Sequence, residues 1–177
     1  MLERVGMPDH ECCEACGFDG SVYDRAALLA AVGALGPRWR ALLAGAGNEL
    51  RIRPEPGVWS AIEYAAHSRD ITALHVYGVA QALAEDEPVY PAIDGDALIE
   101  ATAAHYSGED PDAVGDALDS EARRLARIAG EAPAGAWERG ITIGDSRSTV
   151  RRMIEHALHD SLHHVDDVER GLSHLRR

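Results

Sequence analysis

The chain has 177 residues, of which 46% are apolar, so it is large enough to bury one hydrophobic core. Its formal net charge of -13 argues against nucleic acid or an anionic membrane surface as a partner, because both attract basic patches. No apolar run approaches the roughly 20 residues that a membrane span needs, and no apolar export signal follows the N-terminus. We therefore expect a single cytoplasmic domain over residues 1–177, with no nucleic-acid or membrane partner.

The N-terminal segment, residues 1–22, has little periodic apolar pattern and contains all of the cysteines, Cys12, Cys13 and Cys16. An odd, tightly clustered set of cysteines indicates metal or redox chemistry and not a disulfide scaffold. The pattern Cys13-x-x-Cys16-Gly lets backbone amides point at thiolate sulfurs, as in zinc knuckles. We predict an irregular segment built around this knuckle.

Four substantial helices are predicted after the knuckle, with no convincing strand ladder. Their spans are about 24–47, 60–84, 110–130 and 148–169. Proline should break the first helix at Gly36-Pro37, and Ser60 with Glu63 forms a capping box that starts the second. The roughly 25-residue connection after the second helix, with a short helix at 97–106, is too long for a simple hairpin. We predict an all-α four-helix bundle in which this connection crosses one end.

The last helix contains four of the nine histidines, and they fall on different faces. At about 100° per residue, one apolar stripe faces the core and consists of Ile154, Leu158, Ser161, Val165, Val168 and Leu172. Asp160 and His164 border this stripe one turn apart, so their tips can converge on one ion. His159 and His163 are also one turn apart, but they share the outward face with His156.

A third ligand is needed to turn the inward-bordering pair into a metal site, because open zinc-like sites usually have three protein ligands. The best candidate is His67 on the central second helix, and His75 is the alternative. Glu63 and Asp70 lie within one turn of His67 and could orient it. The competing interpretation is that His67 is a hydrogen-bonded core residue and that the outward histidines are solvated.

Two segments resemble signatures of the DinB/YfiT-like metal-binding four-helix bundles. VWSAIEYAAHSRD, residues 58–70, resembles the second-helix signature, in which a Trp-Ser pair opens the helix and a histidine ligand follows. HDSLHHVDD, residues 159–167, resembles the last-helix signature His-x-x-His-His-x-x-Gln. The resemblance covers about residues 24–172 and implies the same bundle fold.

The resemblance implies that His67, Asp160 and His164 are the metal ligands. The sequence departs from the motif in two places: Asp160 replaces its first histidine, and Asp167 stands where glutamine is common. The related mycothiol-dependent maleylpyruvate isomerases place a glutamate at the first position. A carboxylate there adds hardness and negative charge, and it keeps zinc, nickel, iron and manganese as candidate metals.

The outward pair, His159 and His163, is left over for the cysteine knuckle. Together with Cys13 and Cys16 it makes a Cys2His2 set, which suits a closed structural zinc site. We predict that the N-terminal segment folds over the last helix and is clamped there by zinc. His10, Cys12 and His156 are further candidates for the fourth ligand. The same residues are also compatible with a redox-active dithiol or with a metal bound between subunits.

The resemblance also implies an activity on a small-molecule substrate. Related proteins use low-molecular-weight thiols such as mycothiol or bacillithiol in S-transfer or isomerisation, and hydrolysis by a metal-activated water is a variant. Glu63, Asp70 and Asp167 are the candidates for orienting ligands or moving protons. The alternative is a non-catalytic metal-binding or stress-response protein whose metals are structural. A homodimer is expected by analogy, and the short basic spots among acidic residues do not favour DNA binding.

Overall fold

The computed structural model describes residues 9–92 and 94–177, so the first eight residues of the predicted N-terminal segment lie outside the described part. The α-helices of the described residues are α1 (Arg25–Gly33), α2 (Leu35–Ala46), α3 (Ala61–Ala84), α4 (Gly95–Tyr106), α5 (Pro111–Glu131) and α6 (Val150–Leu175). The β-strands are β1 (Cys12–Cys13), β2 (Phe18–Asp19), β3 (Val89–Tyr90), β4 (Gly140–Ile143) and β5 (Ser146–Thr149).

The fold is the predicted four-helix bundle. The first arm is α1 followed by α2, and the other arms are α3, α5 and α6, with α3 packed against both α5 and α6. The core stripe predicted for the last helix is buried at all six positions, and Trp39 from α2 donates a hydrogen bond to the stripe's Ser161 at 2.7 Å. Contact between α3 and α6 brings the helices with the candidate ligands side by side.

The break in the first arm lies at Ala34, so the predicted break at Gly36-Pro37 was wrong by two to three residues. Pro37 lies in the first turn of α2, where backbone N–H groups have no partner within the helix and proline is tolerated. Gly36 is required for a different reason. A Cβ there would lie 2.5 Å from the Asp119 Cα on α5, so glycine permits the close approach of α2 and α5.

The start of α3 agrees with the sequence pattern. The Ser60 and Glu63 side chains form both hydrogen bonds of the capping box. The rings of Trp59 and Tyr64 lie 5.5 Å apart, centroid to centroid, across the same turn. This places Trp59 against the part of α3 that carries His67.

A small three-stranded sheet packs against α3 and α6, where the sequence analysis predicted no strand ladder and only a short extended piece in the loop before the last helix. β3 comes from the long connection and pairs in parallel with β4, which pairs with β5 in an antiparallel hairpin. Gly144 closes this hairpin at φ 60°, a left-handed conformation that favours glycine. β5 leads directly into α6, whose first turn is capped by the Thr149 side chain. The hairpin therefore fixes where α6 begins.

The N-terminal segment is a knuckle hairpin of β1 and β2, and a buried carboxylate on α6 anchors it. Glu155 is fully buried and accepts hydrogen bonds from the Glu11 backbone N–H at 2.9 Å and the His10 ring at 2.9 Å. Arg151 pairs with it at 2.8 Å. A Cβ on Gly20 would lie 2.7 Å from the Glu155 carboxylate, so the hairpin fits closely over this residue.

The stretch Arg25–Glu49 is, by length and composition alone, apolar enough to cross a membrane. The expectation that no apolar run is that long was therefore wrong by this measure. The stretch is interrupted at Ala34, and its Leu28, Val32 and Trp39 side chains are fully buried in the bundle. We assign its apolar character to the bundle core.

Candidate metal centre

The structure brings His67, Asp160 and His164 together, with one ligand atom from each residue within 4.8 Å of the others. We call these three residues the His67 group. The Asp160 Oδ1 atom lies 3.8 Å from His67 Nε2 and 3.5 Å from His164 Nε2. Two ligands of one zinc-like ion are separated by about 3.4 Å in tetrahedral geometry, so these spacings suit ligands of one ion better than direct hydrogen bonds.

Aromatic side chains from the start of α3 surround the two histidines. His67 is only 6% exposed, and the edge of Trp59 packs on its ring at a centroid distance of 5.2 Å. Tyr64 packs on His164 at 4.9 Å. This packing restricts the ring orientations and limits access by water from the α3 side.

One carboxylate oxygen of the His67 group is unsatisfied. Asp160 Oδ2 is buried and has no hydrogen-bond partner within the described part of the chain. Buried polar atoms are nearly always paired, so an unpartnered carboxylate oxygen is what a metal ligand would show. Two imidazoles and one carboxylate are also a donor set of borderline hardness that suits zinc and its neighbours in the first transition series.

The charges of Asp160 and His164 stabilise each other. Burial opposes ionisation of Asp160, but the His164 and His67 rings outweigh it and hold the pKa of the carboxyl well below its usual range. Burial likewise opposes charge on His164, while Asp160 and then Asp167 raise its pKa above the ordinary value. Asp167 Oδ2 lies 3.0 Å from His164 Nδ1, which leaves Nε2 of that ring facing Asp160.

Cys13, Cys16, His159 and His163 form a second group, whose four ligand atoms also lie within 4.8 Å of one another. We call it the knuckle group. The Cys13 Sγ atom lies 3.9 Å from His163 Nδ1. The adjacent histidines of α6, His163 and His164, therefore face different groups, as the helical projection predicts.

The knuckle backbone is arranged around the sulfurs. Gly17 has φ 73° and donates its N–H to the Cys13 carbonyl at 2.9 Å, closing the turn. The backbone N–H of Cys16 lowers the pKa of the Cys13 thiol; burial opposes it, and the Cys16 side chain and the Ala15 backbone N–H add to the lowering. Burial raises the pKa of Cys16. The turn thus favours a thiolate at Cys13.

A third cluster, Glu11 with His156 and His159, is equally compact. Glu11 Oε1 lies 3.0 Å from His159 Nδ1 and 3.3 Å from His156 Nδ1, which are hydrogen-bonding distances. Its other oxygen pairs with Arg152 at 2.7 Å. Because both Glu11 oxygens have protein partners, we interpret this cluster as hydrogen-bonded support for the two histidines.

The predicted orienting and proton-moving carboxylates divide into two kinds. The Glu63 carboxylate accepts hydrogen bonds from Ser60, in the capping box, and from Arg53. The Asp70 carboxylate accepts hydrogen bonds from Arg69 and from the Tyr106 hydroxyl, the latter at 2.8 Å. Neither makes a hydrogen bond to His67, so proximity on the helix was a misleading signal for both. Asp167 is the one of the three that contacts a member of the His67 group.

Sequence reasoning missed Glu11 and Glu155. Glu11 orients His159, and Glu155 anchors the hairpin that carries the cysteines. Both contacts link positions more than 140 residues apart. The only signal in the sequence was that Glu155 falls near the apolar stripe of the last helix, where an acidic residue needs a partner.

Two cavities lie beside α6. The smaller, about 190 Å³, is lined by residues of both groups, namely Cys13, His156, His159, Asp160, His163 and His164. The larger, about 680 Å³, is mostly apolar and contains no member of the His67 group. His156 lines both cavities. Of the two cavities, the smaller is the one lined by members of the His67 group, Asp160 and His164.

Comparisons with known proteins agree with this architecture. The family model of the DinB superfamily matches residues 22–168. Among solved structures, the chain is similar to YfiT from Bacillus subtilis, described as a probable metal-dependent hydrolase with an unusual four-helix bundle topology; the TM-score is 0.76 at 14% identity, over 94% of this chain and 91% of that one. No curated protein matches the sequence. The family match covers most of the chain, and the chain belongs to the DinB superfamily.

Proposed function

We propose that this protein is a metal-dependent hydrolase whose metal is held by His67, Asp160 and His164. One observation carries the proposal: the three ligand atoms converge at ligand spacing, and the site borders a cavity while one Asp160 oxygen has no partner in the described residues. Three protein ligands leave a position for a water or substrate, which is typical of catalytic sites.

The bound metal would act as a Lewis acid and lower the pKa of a water or thiol in the small cavity. The chain's own residues prepare the site for it. Asp167 accepts the Nδ1 proton of His164, which fixes the tautomer and directs the Nε2 lone pair toward the ion. Trp59 packs edge-on against the His67 ring and restricts its orientation.

We assign His156 as the proton acceptor of the reaction. It lines both cavities, and Glu11 lies 3.3 Å from its Nδ1, so its Nε2 can accept a proton while the carboxylate stabilises the imidazolium. It is 49% exposed at the side chain, so the proton can leave to solvent. A His156→Gln variant should retain its metal and turn over substrate at least about 100-fold more slowly, because a general base typically contributes 10²–10⁴-fold to the rate.

The larger cavity suggests the substrate class. It is lined mainly by apolar side chains of α3, α6 and the small sheet, including Leu74, Tyr77, Ile141 and Met153. Its volume of about 680 Å³ is in the range of ligand sites. We propose that the substrate places an apolar group there and its scissile bond beyond His156, in the small cavity.

The similarity to YfiT supports hydrolysis as the reaction, since that protein is described as a probable metal-dependent hydrolase. At 14% identity the likeness carries the fold, and the activity is our proposal. The acidic chain, with a net charge of -13, also favours a neutral or cationic substrate over an acidic thiol cofactor.

The test is metal analysis combined with turnover. Purified protein and a His67→Ala variant are compared for metal content and for hydrolysis of neutral chromogenic esters and amides with short and long acyl chains. We expect metal-dependent hydrolysis that favours the longer chains and is lost with His67. Hydrolysis that survives His67→Ala in a folded protein would contradict the proposal.

A thiol-dependent reaction is the competing outcome of the same experiment. The assays are repeated with an electrophile and a low-molecular-weight thiol in place of the ester. Turnover that requires both metal and thiol, without ester or amide hydrolysis, would identify an S-transferase or isomerase. Metal binding without turnover of any substrate would favour a non-catalytic metal-binding protein.

A further inference from the structure

We infer that Cys13, Cys16, His159 and His163 form a closed zinc site that fastens the N-terminal hairpin to α6. This site is separate from the His67 group and does not depend on the proposed hydrolase activity. Two sulfurs and two imidazole nitrogens complete the tetrahedral coordination of structural zinc, with no position left for substrate. All four ligand atoms already lie within 4.8 Å of one another.

The His159 ring has the hydrogen-bonding arrangement of a metal ligand. Its Nδ1 is hydrogen-bonded to Glu11 at 3.0 Å, while its Nε2 is buried and has no partner among the residues described. A carboxylate on one imidazole nitrogen and a metal on the other is the usual arrangement around zinc-bound histidine. The orphaned nitrogen is therefore a second observation that points to a cation.

The Cys13 and His163 contact has the length expected of two ligands of one ion. Zn–S and Zn–N bonds of about 2.3 Å and 2.0–2.1 Å at a tetrahedral angle separate the two atoms by about 3.5 Å. The separation in the structure is 3.9 Å, before any contraction around an ion. On its other side, His163 Nε2 faces Asp167 at 3.8 Å.

The remaining candidates for the fourth ligand have different partners. His10 Nδ1 is bonded to the buried Glu155 at 2.9 Å, and His156 Nδ1 to Glu11. Cys12 is exposed and its sulfur contacts Asp19. These three side chains make a different set of contacts, which leaves the knuckle group as the complete Cys2His2 set.

The hairpin needs such a clamp because it has almost no core of its own. Of its described residues 9–23, only Phe18 and Gly20 are buried. Phe18 stacks on the His159 ring at 5.1 Å, so the small apolar contact lies directly beside the inferred zinc. Segments this small usually depend on a metal or disulfide for a fixed structure.

The clamp would also shape the neighbouring site. Cys13 lines the same small cavity as Asp160 and His164, so the fastened hairpin forms one wall of that cavity. Zinc in the knuckle group would thus fix one wall of the cavity that Asp160 and His164 line.

Cysteine alkylation tests the inference and contains its own control. The zinc-loaded full chain is treated with iodoacetamide, and the modified residues are identified by mass spectrometry before and after chelation. We expect Cys13 and Cys16 to react at least about tenfold more slowly with zinc present. Cys12 should react equally in both states. Equal reactivity of all three cysteines in the zinc-loaded chain would overturn the site.

Cobalt substitution tests the ligand set. The parent chain loaded with Co²⁺ should show thiolate-to-cobalt charge-transfer absorption, which a site without cysteine cannot give. The Cys13→Ser and His163→Gln variants should lose this band or bind cobalt at this site at least tenfold more weakly, whereas Cys12→Ser and His67→Ala should keep it. Absence of the band in the cobalt-loaded parent overturns the inference even if a variant fails to fold. Loss of the band in His67→Ala, with its fold intact by circular dichroism, would also overturn the separation of the two sites.

Discussion

Asp167 lies between two neighbouring histidines that serve different groups. Its Oδ2 atom is 3.0 Å from His164 Nδ1 and 3.8 Å from His163 Nε2. Each histidine therefore presents its other nitrogen to its own group. One carboxylate on the last helix orients a ligand of the His67 group and faces a ligand of the knuckle group.

Asp167→Asn should weaken metal binding at the His67 group by about 10–100-fold, because the amide holds the His164 tautomer less firmly and makes the ring less basic. Competition with a chromogenic chelator measures the affinity. Asp166→Asn is the matched control, since Asp166 is half-exposed and its ion pair with Arg38 spans 3.9 Å. Equal affinities of the two variants would show that Asp167 does not position His164.

A second residue with a testable role is His75, whose Nδ1 lies 2.8 Å from the Ile71 carbonyl within α3. Burial and then the neighbouring His156 lower the pKa of His75 to about 4. The folded state thus binds this proton more weakly than the unfolded chain, in which the pKa is near 6.5. Above pH 6.5 the neutral His75 ring costs no stability. As the pH falls from 6.5 toward 4, the unfolded chain takes up the proton first and the free energy of unfolding decreases.

The free energy of unfolding should therefore fall less for His75→Gln than for the parent when the pH is lowered from 7 to 4.5. The difference should be about 1–3 kcal/mol, a range that allows for the ring's partial contact with solvent. Urea unfolding at the two pH values gives the difference. His105→Gln, at an exposed position of α4, should follow the parent. Parallel pH profiles for the parent and His75→Gln would rule out this titration.

At the scale of elements, the contact between α2 and α5 depends on one small residue. A Cβ on Gly36 would lie 2.2–2.5 Å from atoms of Asp119, including its Cα. Asp119 cannot move freely, because Arg40 and Arg123 both bind its carboxylate at 3.0 Å. The two helices must separate to admit any side chain at this position.

Gly36→Ala should lower the free energy of unfolding by about 1–3 kcal/mol, the usual cost of forcing extra volume into a packed contact. Gly45→Ala, in the same helix with nothing within 4 Å of its Cβ, should raise it by about 0.5–1 kcal/mol through higher helix propensity. Urea denaturation of the two variants and the parent measures both changes in the free energy of unfolding. A stabilising Gly36→Ala would show that the helices do not approach so closely in solution.

For the whole molecule, the excess of acidic residues is the dominant electrostatic property. Thirty Asp and Glu residues against 17 basic ones give the net charge of -13. The basic side chains are largely engaged in local pairs, such as Arg147 with Glu87 and Arg53 with Glu63. The excess acidic side chains repel one another in the folded state, and this repulsion lowers the free energy of unfolding at low ionic strength.

Raising the ionic strength from about 0.02 M to 0.3 M should therefore raise the thermal midpoint by about 2–5 °C, because screening shortens the Debye length from tens of ångströms to a few. Differential scanning calorimetry with NaCl measures this. Tetramethylammonium chloride, which screens similarly but binds carboxylates poorly, separates screening from specific ion binding. A midpoint that falls with salt would show that the ion pairs outweigh the net repulsion.

Much of the bundle and of the ligand pattern could be predicted from the sequence, because both depend on helical periodicity. The core stripe of α6, the capping box at Ser60 and the divergence of His163 from His164 follow from residue spacing along one helix. The pairing of His67 with α6 needed the family resemblance as well, since nothing local says which helix faces which.

Contacts between distant segments depended on the tertiary structure. Glu63 and Asp70 lie close to His67 in sequence, yet the Glu63 carboxylate binds Arg53 and the Asp70 carboxylate binds Tyr106. Glu11 supports His159 only because Glu155 and the knuckle turn fold the hairpin onto α6. Periodicity determines which face of a helix a side chain occupies, but long-range packing determines which partner meets that face. Residue spacing therefore determined the ligand faces, and the packing of the folded chain selected the residues that support them.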